Sequence, residues 1–217
     1  MPKITAVQSQ KKNPHRFNIY LDGKFAFGAD EDLVVDKRLV VGKEISTQDV
    51  EQLIKETETG KLMERMYRLF SIRQRSEKEV RDYFRNLSFK KKLKDQQEIS
   101  SFIIETAVKL LKRKGMINDL EFAKAWVESR RKKKGPLVIK NELYQKGIDR
   151  EIIDEVISGQ GTGYSEDTAY QLLEKKMRLW LNLSEAEFRK KSYEFLLRRG
   201  FEYEVVKNVV ENFIKKR

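Results

Sequence analysis

The chain has 217 residues, no cysteine and one histidine, and its formal net charge at pH 7 is +12. Without cysteine there can be no disulfide bond, thiolate nucleophile or Cys-based zinc site, and one histidine alone cannot build a usual zinc site. No stretch of about 18 apolar residues occurs and no apolar secretory segment opens the chain, so we expect a cytoplasmic protein with no membrane partner.

The positive charge is confined to the second region of the chain. Residues 1–60 contain nine Lys and Arg and ten Asp and Glu, whereas residues 61–217 contain 37 and 24. Such an excess of basic residues attracts polyanions through long-range electrostatics and counterion release. Nucleic acid is therefore the first partner to consider, although an acidic protein face or a membrane surface would also be attracted.

The first sixty residues predict a small antiparallel sheet followed by short helices. Residues 4–7 and 16–21 have the composition of strands, and Asp22 with Gly23, followed by an apolar stretch at 24–27, is typical of a tight hairpin. Asp30 is predicted to cap a helix that runs through Leu39. Thr47 is predicted to cap a second helix through about Glu58, because acidic residues are enriched at both starts.

From Lys61 onward the apolar residues recur with the 3.6-residue period of amphipathic helices. Ser76 with Glu79 and Ser184 with Glu187 have the spacing of capping boxes, and Pro136 suits the first turn of a helix. The residues predicted to form buried stripes are Leu62, Met66, Leu69, Val80, Phe84, Leu87, Ile99, Phe102, Ile103, Leu110, Phe122, Trp126, Val127, Ile139, Leu143, Ile152, Ile153, Val156 and Ile157.

An internal repeat organises this helical region. Residues 146–157 match residues 199–210 at a constant offset of 53, and their apolar positions agree in type. Gly147 and Gly200 occupy the same place in the repeat, where a helix that turns sharply favours a left-handed residue. A third, weaker copy lies earlier, with Ser88 in place of the glycine and an insertion at about residues 90–98.

The fold predicted from these patterns is mainly α. A β-hairpin or small sheet with short helices at residues 1–59 precedes three tandem three-helix modules at residues 60–118, 119–159 and 160–217. Residues 158–163 read SGQGTG, the composition of a flexible joint between the second and third modules. The modules are expected to form an elongated, curved string.

Basic residues near helix ends are the predicted contacts with a partner. Five of them form one run at residues 130–134, named the basic run below. A solvated helix end is the alternative interpretation, but a helix dipole calls for only one or two cations in the last turn. The complete set of predicted contact residues is Arg73, Arg75, Lys112, Arg113, Lys114, Arg130, Arg131, Lys132, Lys133, Lys134, Arg198 and Arg199.

These cations are expected at equivalent helix ends of the three modules, where a stack of repeats would present them on one face. Arginine can form two hydrogen bonds at once with a carboxylate or phosphate group. This favours four residues of the set: Arg73, Arg75, Arg130 and Arg199. Aromatic residues at helical spacing belong more often to a core than to a surface that stacks on bases. The aromatic residues concerned are Trp126, Trp180, Tyr83 and Tyr144.

Several segments together resemble the RecX family of regulators of bacterial recombination. They are NIYLDG at residues 18–23, RQRS at 73–76 before a helix that begins E-x-x-V, FAKAWV at 122–127 with RRKKKGP at 130–136, and LRRGF at 197–201. The resemblance covers nearly the whole chain. The chain departs from the family pattern in its lysine-rich insertion near residues 90–94 and in Leu87-Ser88, which replace a basic residue and glycine.

The resemblance implies a protein that binds the RecA filament on DNA, lies along its groove, and lowers ATP hydrolysis, strand exchange and coprotease activity in DNA repair and recombination. The implied partners are RecA and single- or double-stranded DNA without sequence preference. We expect a monomer with no cofactor. We also expect no enzymatic activity, because no catalytic pattern accompanies the serines and carboxylates. The alternative hypothesis is a DNA-binding protein that acts without RecA, sequence-independently or through helix-turn-helix-like modules.

Overall fold

A computed structural model describes residues 1–11, 13–96, 98–159 and 162–216. Within these ranges three strands precede ten helices. The chain divides into two compact units, the first comprising Met1–Arg73 with Tyr83–Lys114 and the second Gln74–Asp82 with Gly115–Arg217. The elements are β1 (Ile4–Gln10), β2 (Asn13–Leu21), β3 (Lys24–Asp30), α1 (Glu31–Asp36), α2 (Thr47–Phe70), α3 (Glu77–Lys92), α4 (Ser101–Arg113), α5 (Asp119–Arg130), α6 (Pro136–Gln145), α7 (Arg150–Ser158), α8 (Thr162–Met177), α9 (Glu185–Arg198) and α10 (Tyr203–Lys216).

The sheet of the first unit is antiparallel, with its strands in the order β1-β2-β3. Asp22 and Gly23 join β2 to β3 with φ angles of 47° and 79°, as an Asp-Gly hairpin requires, so the predicted hairpin is confirmed. Asp30 caps α1 by accepting a hydrogen bond from the Leu33 N–H at 2.9 Å, and α1 ends at Asp36, short of the predicted end. The core around the sheet consists of Ile4, Ile19, Phe27, Ala29, Leu39, Ile45 and Leu53.

Helix α2 is longer than the sequence predicts. Ser46 rather than Thr47 is its N-cap, and the helix continues past the predicted end at Glu58 to Phe70. Gly60 within it costs about 1 kcal/mol relative to alanine, which tertiary packing on both sides of the glycine outweighs. The predicted boundary between residues 59 and 60 therefore lies inside a helix. The buried residues of α2 are Leu53, Thr57, Thr59, Leu62, Met63 and Met66.

The first module departs most from the repeat. Its second helix, α3, does not end near Ser88 but continues to Lys92, and the Ser88 Oγ accepts a hydrogen bond from the Ile99 N–H at 3.0 Å. No glycine interrupts the helix here, and lysine is a good helix former. Phe102, predicted to be buried, is 65% exposed. The buried stripe of α4 lies on another face, at Ile103, Ala107, Val108 and Leu111.

The second unit contains two complete modules, each with a core of its own. Helices α5, α6 and α7 enclose one core, and α8, α9 and α10 enclose the other. Gly147 and Gly200 follow α6 and α9 with φ angles of 77° and 84°, which confirms the left-handed turns predicted from the repeat. Ser184 and Glu187 form a complete capping box, and Pro136 occupies the first turn of α6.

The predicted joint at residues 158–163 overlaps two helices. Helix α7 includes Ser158 and α8 begins at Thr162, while Gln160 and Gly161 lie outside the described residues. Part of the predicted joint is therefore helical. Across the described ranges, no helix combines the length and the apolar character needed to cross a membrane.

Candidate functional site

The predicted contact residues end different helices of their modules. The basic run follows a first helix (α5), as Arg73 and Arg75 follow α2, whereas Arg199 follows a second helix (α9) and Lys114 a third (α4). The expectation of equivalent helix ends therefore holds for Arg73, Arg75 and the basic run, but it is wrong for the cations at the ends of α4 and α9. The set is divided between the two units: Arg73, Lys112, Arg113 and Lys114 belong to the first, and Arg75, the basic run, Arg198 and Arg199 to the second.

Glu142 of α6 partly neutralises the basic run. Its carboxylate accepts hydrogen bonds from Lys134 and from the Trp126 Nε1 at 2.9 Å, and it lies 3.4 Å from the Arg130 Nε. Burial of this carboxyl raises its pKa, but the hydrogen bonds from Lys134 and Trp126 and the charges of Lys134 and Arg130 outweigh burial. The pKa of Glu142 is therefore lowered, and the carboxylate stays charged beside its cations.

The other cations of the basic run differ in how much of their charge is free. The Arg130 guanidinium lies over the Trp126 ring, with its Cζ 4.3 Å from the ring centroid. Arg131 forms an ion pair with Glu128 at 2.8 Å. Lys132 and Lys133 are exposed and form no ion pair with any described residue. The ammonium groups of Lys132 and Lys133 are therefore available to a partner. The other three cations of the run already form ion pairs within the protein.

The end of α9 docks against this run, in a contact named the second junction. The Arg199 Nη1 donates to the Lys133 carbonyl at 2.7 Å, and the Arg199 Cζ lies 4.7 Å from the Phe195 ring centroid. The backbones meet as well, because the Gly135 N–H donates to the Arg199 carbonyl at 2.8 Å. The second junction thus brings the basic run of one module to the exposed Arg198 and half-buried Arg199 of the next.

The end of α6 receives α3 in the same manner, in a contact named the first junction. The Ser76 Oγ donates to the Lys146 carbonyl at 2.7 Å, and the Lys78 Nζ donates to the Gln145 carbonyl at 2.9 Å. The Lys146 Nζ in turn donates to the Glu79 Oε1 at 2.5 Å and lies 5.2 Å from the Trp126 ring centroid.

Reasoning from the sequence missed Lys146 and Glu142. The repeat aligns Lys146 with Arg199 at the offset of 53, so the first of these could have been found. No local pattern indicates Glu142, because its role depends on how α6 packs against α5. Ser76 makes its half of the predicted capping box, since its Oγ accepts from the Glu79 N–H at 3.2 Å.

The aromatic residues belong mainly to the cores, as predicted. Trp126 is half-buried and its ring stacks on Phe122 at 5.6 Å between centroids, while Trp180 packs edge-on against Phe188 and Phe195. Their rings are therefore already engaged. Tyr83 contacts Phe84 and is half-buried; Tyr144 remains exposed.

The remaining predicted residues lie apart from the second junction or in the first unit. Arg75 is half-buried, and its Nε is a buried donor with no hydrogen-bond partner in the part of the chain that the structure describes. Lys112, Arg113 and Lys114 are exposed at the end of α4. Among the described residues there is no group of three histidine, cysteine or acidic side chains able to hold a metal ion.

Three family models match the chain along the elements just described. The match at residues 2–46 is described as the regulatory protein RecX N-terminal domain. Residues 118–157 match the second three-helix domain of RecX, and residues 164–210 match the third. The first match covers the sheet and α1, and the other two cover most of the two complete modules of the second unit.

Whole-chain comparisons agree with these matches. Regulatory protein RecX of Bacillus velezensis is 35% identical over 97% of this chain and 77% of its own length. That of Clostridium beijerinckii is 32% identical over 97% of this chain and 95% of its own length. A crystal structure of regulatory protein RecX superposes with a TM-score of 0.72 at 27% identity, over 97% of this chain and all of the other.

A second solved structure, RecX from Lactobacillus salivarius, superposes with a TM-score of 0.62 at 25% identity over 71% of this chain and 95% of the other. The resemblance noted in the sequence thus extends to the sheet, to the helical modules and to relatives that align along almost the whole chain. The chain belongs to the RecX family of regulatory proteins.

Proposed function

We propose that this protein regulates the recombinase RecA by binding the RecA–DNA filament, and that it does so without a catalytic activity of its own. Binding lowers ATP hydrolysis, strand exchange and coprotease activity by RecA. Family membership supports the regulatory role, since relatives along the whole chain carry the name Regulatory protein RecX. The observation that carries the proposal is the meeting of cations from two modules at the second junction.

The second junction supports binding to an elongated anionic partner through exposed, positioned charges. Lys132, Lys133 and Arg198 are exposed, whereas Glu142 and the neighbouring backbone hold the cations around them in place. Groups that are ordered before binding lose less conformational entropy when the complex forms. A phosphate backbone offers anions at regular spacing, and each one neutralised releases counterions, which favours association at low salt.

The test measures ATP hydrolysis by RecA on single-stranded DNA as this protein is added. The protein is expected to slow hydrolysis below stoichiometric amounts. Reversing two charges, Lys132→Glu with Lys133→Glu, is expected to weaken this inhibition and to flatten its dependence on salt, because fewer counterions are released.

A matched control reverses two exposed lysines of α9, Lys190→Glu with Lys191→Glu, and changes the net charge by the same amount. This control is expected to inhibit nearly as well as the unmodified protein. If hydrolysis is unchanged by the unmodified protein at micromolar concentration and low salt, the proposed function is wrong. If both double variants lose inhibition equally, the second junction is not the contact surface.

The alternative, a helix-turn-helix protein that acts without RecA, has less support. Such a protein inserts a recognition helix into the major groove, with the first turn against the base edges. The third helices α7 and α10 carry the exposed carboxylates Glu151 and Glu204 in their first turns, and phosphates would repel these groups. Tight binding to one duplex, about 1,000-fold above other sequences, would instead favour the alternative.

A further inference from the structure

A small cationic cavity lies in the first unit, and its cations are not among the predicted contact residues. Its volume is about 60 Å³, and it lies between α2, α3 and the segment that leads into α4. Lys61 and Arg65 of α2 and Lys91 of α3 line it together with Glu58 and three apolar side chains. Arg16 of β2 is close enough to act on Lys61 electrostatically, and its side chain is only 12% exposed.

The positive charges of this cavity outnumber their partners. Arg16 lies 3.4 Å from Glu64, and Lys91 lies 4.0 Å from Glu58, at the limit of an ion pair. The other two cations, Lys61 and Arg65, form no hydrogen bond or ion pair with any described residue. Two like charges four residues apart on one helix face repel each other. The fold therefore maintains an electrostatic cost here, which Glu58 and Glu64 offset only in part.

The ammonium of Lys61 experiences this excess directly. Although the residue as a whole is exposed, protein atoms around the ammonium remove part of its hydration, and this burial is the main cause that lowers its pKa. The charges of Arg16 and Lys91 lower the pKa further, and Glu58 and Glu64 offset them only in part. Charged groups perturbed by burial and by like neighbours within a cleft are characteristic of functional sites.

We propose that this cavity binds a phosphate group through Lys61, Arg65 and Lys91. Arg16 does not line the cavity but adds its positive charge close to Lys61. A bound anion relieves the repulsion within the cluster, and the guanidinium of Arg65 can offer two parallel hydrogen bonds to phosphate oxygens. The volume of about 60 Å³ suits a group of a few atoms, such as a phosphate. The phosphate comes from a nucleic-acid strand or from free phosphate.

This site shares no residue with the second junction and needs no RecA. It therefore goes beyond the proposed function, and its test contains no RecA, so that the failure of one proposal leaves the other standing. The test compares Lys61→Gln with Arg65→Gln against a control on the same helix, Lys55→Gln with Arg68→Gln. Both double variants remove one lysine and one arginine charge from α2, but Lys55 and Arg68 do not line the cavity.

The first arm measures the affinity of a fluorescent oligothymidylate by anisotropy over a range of salt concentrations. If a strand phosphate occupies the cavity, Lys61→Gln with Arg65→Gln weakens binding several-fold more than the control does. The slope of log affinity against log salt concentration then becomes shallower by about 0.7 for each phosphate that the variant no longer neutralises.

The second arm measures the melting temperature in sodium phosphate and in sodium chloride at equal ionic strength, without nucleic acid. Phosphate is expected to raise the melting temperature of the unmodified protein and of the control, but not that of Lys61→Gln with Arg65→Gln. Without phosphate the latter variant is expected to melt at the same or a higher temperature than the unmodified protein, because a repulsion has been removed, so a folding defect cannot mimic the result.

Loss of the response in the oligonucleotide arm, with or without the phosphate arm, identifies a strand phosphate as the ligand. Loss in the phosphate arm alone identifies free phosphate. The proposal is overturned if, in both arms, Lys61→Gln with Arg65→Gln behaves as Lys55→Gln with Arg68→Gln does.

Discussion

The two junctions of the second unit join helices by the same docking geometry but through different atoms. At the second junction, backbone groups at the start of α6 contact the turn that follows α9. The Gly135 N–H donates to the Arg199 carbonyl at 2.8 Å, and the Leu137 N–H donates to the Gly200 carbonyl at 3.1 Å. At the first junction, side chains at the start of α3 contact the turn that follows α6 instead. The donors there are the Ser76 Oγ and the Lys78 Nζ.

The difference follows from one position of the repeat, which is Ser76 in the first junction and Gly135 in the second. A glycine lets two backbones touch, whereas a residue with a Cβ keeps them apart and its hydroxyl spans the gap. The repeat therefore specifies where a helix docks, and the residue at this position decides whether backbone or side chain makes the contact.

The largest effect is expected for Gly135→Ala. A Cβ at this position would lie 2.3 Å from the Gly200 carbonyl oxygen and 2.4 Å from its carbon, and backbone cannot rotate away as a side chain can. The overpacking is expected to lower the free energy of unfolding by about 2 to 3 kcal/mol, measured by urea denaturation. Gly159→Ala is the control, because a Cβ there meets one carbonyl oxygen at 3.3 Å. Equal losses in the two variants would contradict a backbone contact at the second junction.

A smaller effect is expected for Ser76→Ala, which tests the side-chain version of the contact. The buried hydroxyl both caps α3 and donates to the Lys146 carbonyl. Ser184→Ala removes a cap of the same type from α9, where the exposed serine bonds only within its own capping box. Both changes lose a cap worth about 1 kcal/mol, and Ser76→Ala is expected to cost about 1 kcal/mol more. Equal melting temperatures would show that the first junction contributes nothing.

The smallest effect is a pH dependence that belongs to the second junction. The pKa of Glu142 is lowered, so its contribution to stability is present in full above its ordinary value of 4.5 and is lost as the pH falls through the lowered value. Glu142→Gln removes this titration. The free energy of unfolding of the variant is therefore expected to fall less steeply as the pH drops below 4.5. Parallel pH profiles of the two proteins would contradict the role assigned to Glu142.

The predictable parts of the fold were those that local chemistry dictates. The hairpin at Asp22 and Gly23 and the left-handed turns at Gly147 and Gly200 follow from conformations that few residues adopt, and the sequence therefore indicates them directly. The extension of α2 beyond Glu58 could not be predicted in this way, because Gly60 and its threonine neighbours are poor helix formers that tertiary packing overrides.

The candidate site was only partly predictable for a related reason. The sequence shows the basic run as five adjacent cations, but the charge that a partner meets depends on which carboxylates fold back onto it. Glu142 comes from the next helix and Glu128 from the preceding one, so the free charge is set by packing and not by composition. Phe102 illustrates the same limit for apolar residues, since the period predicts a buried stripe but not its edges.

The uninterrupted course of α3 past Ser88 moves the end of this helix away from the position that the repeat uses for docking. In each junction the start of a second helix docks on the Gly-containing turn of the module that follows it. The left-handed turn after α3 lies instead at Asp95, with a φ angle of 51°, seven residues beyond Ser88. A helix placed upstream with the spacing of the other modules would therefore meet the side of α3 and not its end, so the first module is not interchangeable with the other two.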